Sequence, residues 1–178
     1  MILPFVRELF ADVEKSPEFQ RAASQVKGGT GRIRVSGLTP SARALHYALL
    51  LKATLKPLVI VVPSNRAAEE LLPVVQAFCE LTGAAHADAV VMLPAYDVLP
   101  YENLSPHPEL QEARAAALWK IVSGTARIVI APFVATAMHY RPAEFYFDLT
   151  KVINRGNSVD SDELRGHTSI LRGIARWM

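Results

Sequence analysis

Cysteine is almost missing from this chain. Cys79 stands alone among 178 residues, which excludes an intramolecular disulfide framework and any cysteine-rich zinc site, and suits a reducing compartment. Aromatic residues make up 8%, with nine glycines and twelve prolines, so collagen-like and low-complexity classes are excluded. No apolar run approaches the ~20 residues of a membrane span. Residues 1–15 mix Arg7, Glu8, Asp12, Glu14 and Lys15 with apolar side chains and lack the continuous apolar core of a signal peptide. A cytoplasmic location without a membrane role is the expectation. What is abundant is apolar surface: 51% of residues are hydrophobic and 20% charged. That composition supports one sizeable core, not a disordered tail.

Charge of one sign is also scarce, with a formal net of +2. Residues 151–178 hold Lys151, Arg155, Arg165, Arg172 and Arg176 against Asp160, Asp162 and Glu163, which accounts for the whole excess. The first 150 residues balance, fourteen basic against fourteen acidic, and a balanced body does not read as a phosphate-tracking surface.

Leu3, Val6, Leu9, Phe10 and Val13 have helical spacing, so the chain opens with one or two short helices, Ser16–Pro17 starting the next turn. Alternation predicts a first strand over Arg32–Ser36. Thr39 is a cap and Pro40 a first-turn residue for a helix running to about Leu55, with Leu45, Ala48, Leu49 and Leu55 facing the core. The β-branched run Leu58–Val62 reads as a central strand buried on both faces. A helix from Asn65 to about Leu81 follows, closed by Gly83. Val90–Leu93 is a third strand, Glu109–Ser123 a helix, Arg127–Ala131 a fourth strand, and Pro132–His139 a short helix. Alternating strands and helices predict an α/β fold: a three-layer parallel sheet with a short C-terminal appendage. Ligands then sit beyond the carboxyl ends of the strands, in the loops after Ser36, Val62, Leu93 and Ala131. The rhythm breaks near Pro142–Glu144, so residues 1–144 form one domain and 145–178 the beginning of another, with Phe147–Ile153 as an edge strand and a helical stretch after Ser161.

The first strand–loop–helix junction is where a phosphate-binding loop, G-x-x-x-x-G-K-[ST], belongs. Here it reads Gly37-Leu38-Thr39-Pro40-Ser41-Ala42-Arg43-Ala44. Ala42 replaces the second glycine, Arg43 the lysine and Ala44 the magnesium-binding hydroxyl, and Pro40 removes an amide donor. None of the buried strands ends in the carboxylate that a magnesium-dependent NTPase requires. An ordinary capped helix is therefore preferred to a live nucleotide site, with Gly37, Thr39, Ser41 and Arg43 as remnants of the loop. Asp97, Tyr101, Glu102, His107 and Glu109 could make a metal or acid–base site, but their spacing fits no ligand signature, and a rigid connection is preferred. No catalytic residue, metal site or cofactor is assigned. Cys79 reads as a buried structural thiol, and His46, His86, His139 and His167 as packing or surface residues. Arg155, Arg165, Arg172 and Arg176 are possible partner contacts, set against a solvated helix face. Two other readings stay open: a stand-alone nucleotide- or nucleic-acid-binding domain using Arg43 and the basic tail, and a small enzyme using the Asp97–Glu109 loop.

The string Leu99-Pro100-Tyr101-Glu102, then Ser105-Pro106, follows a strand ending in Leu93–Pro94 and precedes a helix with Arg114 and Leu118. Together with Arg127–Pro132 and the Ser36–Thr39 junction, it resembles the N-terminal UvrB-like region of the bacterial transcription-repair coupling factors (Mfd), from roughly Arg32 to Leu164. The resemblance implies a P-loop NTPase-like, UvrB domain 1a-like fold with a degenerate nucleotide loop. It implies a DNA-repair module that acts as an adaptor without ATPase activity, within a translocase that removes stalled RNA polymerase and recruits UvrA. Domain 2 would dock UvrA, while RNA polymerase and DNA would be met by other parts of the full-length protein. On this reading domain 2 is barely started here, and most of the UvrA surface is missing.

Overall fold

A computed structural model describes residues 4–29, 31–98 and 105–148, with Ser158 and Asp162. The chain divides into two compact units, Met1–Met138 and His139–Met178.

Local capping chemistry sets the helices of the first unit. Helix α1 spans Pro4–Lys15 and α2 spans Pro17–Gly28. Between them the Ser16 hydroxyl accepts from the Phe19 amide at 3.4 Å, and Gly29, at φ +72°, closes α2 in the left-handed conformation that glycine adopts without strain. Helix α3 (Pro40–Thr54) begins on Thr39, and α4 (Asn65–Thr82) begins on Ser64. Strand β1 is Leu58–Val62 and β2 is Val90–Met92, the latter entered through a 3-10 turn at Ala87–Ala89. Helix α5 covers Pro108–Val122, followed by β3 (Ile128–Pro132) and the short α6 (Phe133–Thr136).

All three strands are parallel, in the order β1-β3-β2, with Ile60 level with Ile130 and Val90 level with Ile128. One face of this sheet gives Ile60, Val90, Ile128 and Ile130 to a core completed by α3 (Ala44, Ala48, Leu51) and α4 (Ala68, Val75, Cys79). Beneath α3 a second, smaller core joins Phe19, Ala23 and Leu49. Burial disfavours protonation of His46, which lies edge-on to Phe19 at 5.3 Å.

Four sequence-based expectations change. Arg32–Ser36 is not a strand: it runs as exposed irregular backbone between Gly31 (φ +100°) and Gly37 (φ +81°). Ile33 and Val35 find no cover, so alternation there brings no burial to offset the ordering of a strand. Strand β1 is not central. It lies at the edge of the sheet, with Val59 66% and Val61 53% exposed, while β3 takes the middle and is buried throughout. Leu55 does not face the core but caps α3 at φ +58°, 73% exposed, its amide donating to the Leu51 carbonyl at 2.9 Å. Its own carbonyl accepts from Arg127 at 2.5 Å, a bond that holds this unusual conformation.

In the second unit, helix α7 (Ala143–Asp148) occupies the start of the expected Phe147–Ile153 strand. There the Tyr146 hydroxyl accepts from the Arg141 amide at 3.1 Å, which ties the entry of α7 to its own middle. The rest of that strand, the stretch after Ser161, and Arg155, Arg165, Arg172 and Arg176 lie outside the described residues. Among the described residues no helix is long and apolar enough to cross a membrane.

Candidate functional site

Parallel strands bring their following loops to one edge, where Asn65 and Arg114 make their contacts. Helix α4 leaves β1 there, α6 leaves β3, and the segment from Pro94 leaves β2. Helix α3 ends at Thr54, just before β1 begins.

Two side chains fix the segment after β2. Asn65, the first residue of α4, donates from Nδ2 to the Ala95 carbonyl at 3.0 Å, and its Oδ1 accepts from the Ala95 amide at 2.8 Å. This pairing copies one rung of a β-ladder beyond the end of β2. Arg114, on α5, is 4% exposed. Its Nη1 donates to the Pro94 carbonyl, its guanidinium lies 4.1 Å from the centre of the Tyr96 ring, and Nη2 is 3.7 Å from the Met138 sulfur. A buried cation held by a carbonyl and an aromatic face acts as a tie between β2, α5 and the end of α6. Further along, the Asp97 carboxylate accepts from the His107 amide at 3.3 Å and the Pro106 carbonyl from Gln111 at 2.8 Å. Ser105 is exposed and Pro106 half-buried, whereas Leu99, Pro100, Tyr101 and Glu102 lie outside the described residues.

At α3 the Thr39 hydroxyl accepts from the Ala42 amide at 3.3 Å, and the Thr39 carbonyl accepts from the Arg43 amide at 2.9 Å. Pro40 has no amide hydrogen. Three positions of the cradle are therefore closed to a phosphate, Pro40 having no donor and the Ala42 and Arg43 amides being used by Thr39, and no strand precedes the loop. Gly37, Ser41 and Arg43 are exposed. Among the described residues no three His, Cys, Asp or Glu side chains group as a metal site.

Cys79 sits in the main core rather than at this edge, and burial pushes its thiol up from 9.0 to about 11. The folded state holds this proton more tightly than the unfolded chain does. That contribution to stability is full below pH 9 and is lost as pH rises towards about 11. Iodoacetamide at pH 8 is expected to label native protein slowly and urea-unfolded protein fast, as read by mass spectrometry. Equal rates would place the thiol at the surface.

The fold and this edge define an α/β domain in which Thr39 and Ser64 cap the N-termini of α3 and α4. In sequence, the chain is similar to transcription-repair-coupling factors. That of Bacillus subtilis (strain 168) is 23% identical over 152 residues, which cover 85% of this chain and 12% of the relative. That of Myxococcus xanthus is 34% identical over 107 residues, 60% of this chain and 9% of the relative. That of Escherichia coli (strain K12) is 25% identical over 149 residues, 84% of this chain and 12% of the relative. The chain thus spans about a tenth of the length of the curated relatives it matches. No family model matches it, and no solved structure does.

Sequence reasoning marked Arg114 only through the family motif and passed over Asn65. The available signal for Asn65 was its place directly after the Ser64 cap, at the carboxyl end of β1.

Proposed function

We propose that residues 1–144 are the non-catalytic, UvrB domain 1a-like module of a transcription-repair coupling factor, and residues 145–178 the beginning of its domain 2. Similarity to coupling factors over as much as 85% of the chain supports the assignment. The observation that carries the absence of catalysis is the Thr39 cap: its hydroxyl occupies the Ala42 amide that a phosphate would need. On this reading the fold descends from a three-layer P-loop NTPase whose loop, Gly37 to Ala44, has become structural and needs no cofactor. The module works in the cytoplasm as an adaptor within a larger ATP-driven DNA translocase. That protein engages RNA polymerase and DNA elsewhere and recruits UvrA through domain 2.

Isothermal titration with ATP and magnesium is the test. No heat beyond dilution is expected, and a micromolar dissociation constant would overturn the vestigial reading. The adaptor role is checked by retention on immobilised UvrA, which should be weak, because the resemblance puts that surface in domain 2. Tight retention would move the docking surface into the first domain.

A further inference from the structure

The balanced charge of the first 150 residues conceals a strong segregation. Between Phe19 and Ala68 there are eight basic residues and no Asp or Glu. Residues 69–138 show the reverse, eight acidic against three basic. A nearly neutral body is therefore dipolar in its chain order, with α2 beyond Glu18, α3, β1 and their connections in the cationic part.

The structure shows which of these cations are already engaged. Lys52 pairs with Glu14 at 3.0 Å and Arg66 with Glu70 at 2.9 Å. Lys56 donates to the Val26 and Lys27 carbonyls at 3.3 and 2.9 Å, neutralising the carbonyl end of α2. Arg21, Lys27, Arg32, Arg34 and Arg43 are exposed, and their side chains make no hydrogen bond or ion pair among the described residues. Three of them, Arg32, Arg34 and Arg43, lie within one stretch that also exposes the hydroxyls of Ser36 and Ser41 and the backbone of Gly37.

Guanidinium groups, small hydroxyls and open backbone amides are the donors that meet phosphodiester oxygens and read no sequence. The stretch from Phe19 to Ala68 has two aromatics, Phe19 and Tyr47, neither of them exposed. It therefore offers no stacking platform for unpaired bases. We infer that Arg32, Arg34 and Arg43 form a docking surface for the phosphate backbone of duplex DNA, independent of its sequence and additional to the DNA contacts that the proposed function places elsewhere in the larger protein. Glu14 and Glu70 are taken up by Lys52 and Arg66, which leaves the charge of Arg32, Arg34 and Arg43 unpaired among the described residues.

The test is fluorescence anisotropy of the full 178-residue chain with a labelled duplex, titrated over salt. Three neutralised phosphates predict a slope of log affinity against log salt of about −2.7, hence ~40-fold weaker binding between about 50 and 200 mM. The variant R32A/R34A/R43A should lose most of that slope and at least ~10-fold in affinity at the lower salt. R32K/R34K/R43K should keep the slope, since lysine retains the charge. The far-ultraviolet circular dichroism of both variants should match the parent, because all three side chains are exposed. The proposal is overturned if the duplex fails to bind at low salt, or if the alanine variant keeps the parent slope. It is equally overturned if R172A/R176A removes the slope instead, or if polyglutamate binds where the duplex does not.

Discussion

Truncating Arg114 to alanine is expected to lower the unfolding free energy by about 3 kcal/mol. Its hydrogen bond from a charged group to the Pro94 carbonyl is worth about 1.5–3 kcal/mol, and its stacking on Tyr96 adds about 0.5–2. Alanine would also leave a buried carbonyl without its donor and a void where the guanidinium and its apolar stem now pack. Lysine should recover less than half of the loss. It keeps the charge but cannot present a planar face to Tyr96 while reaching both Pro94 and the Met138 sulfur. Urea unfolding of the three proteins measures this, with the shift in midpoint read at constant slope. A loss below about 1 kcal/mol for the alanine variant would show that Arg114 does not tie the β2 segment to α5 and α6.

The alanine variant should also show where that energy acts. Asn65 still holds Ala95 by two hydrogen bonds, so the register at the end of β2 should survive. Tyr96 and Asp97 lose their anchor, and limited proteolysis should cut first between there and His107, where an Asp97 contact closes the segment.

Helix starts were legible because capping is local chemistry. Thr39–Pro40 and Ser64 announce α3 and α4 within a few residues, and Gly83 stops α4 at a left-handed position. Sheet order was not legible, because Leu58–Val62 and Ile128–Pro132 are equally apolar and nothing local distinguishes a middle strand from an edge. Leu55 followed the helical period into the core on paper, while in the fold the turn into β1 needed its backbone more than its side chain. Arg114 sits in the alanine-rich run Glu112-Ala113-Arg114-Ala115-Ala116, which reads as an exposed face until Tyr96 and Pro94 cover it. The cationic stretch was present in the sequence and was lost by summing charge over 150 residues that contain its acidic complement.

The order of strands has its own energetic signature. Ile130 is fully buried in the middle strand, and Ile130→Ala is expected to cost about 3–4 kcal/mol, the transfer free energy of the removed atoms plus the cavity they leave. Val61, one residue along the neighbouring strand from the buried Ile60, is 53% exposed, and Val61→Ala should cost under about 1 kcal/mol, mostly strand propensity. A β1 buried on both faces, as its composition alone suggests, would bring the Val61 loss towards that of Ile130, since both would then open cavities. Thermal and urea unfolding of the two single variants therefore separate the topologies by about 2 kcal/mol or more, well beyond the error of such measurements. Comparable losses at the two positions would place a further layer over Val59 and Val61, and β1 would no longer present an open face.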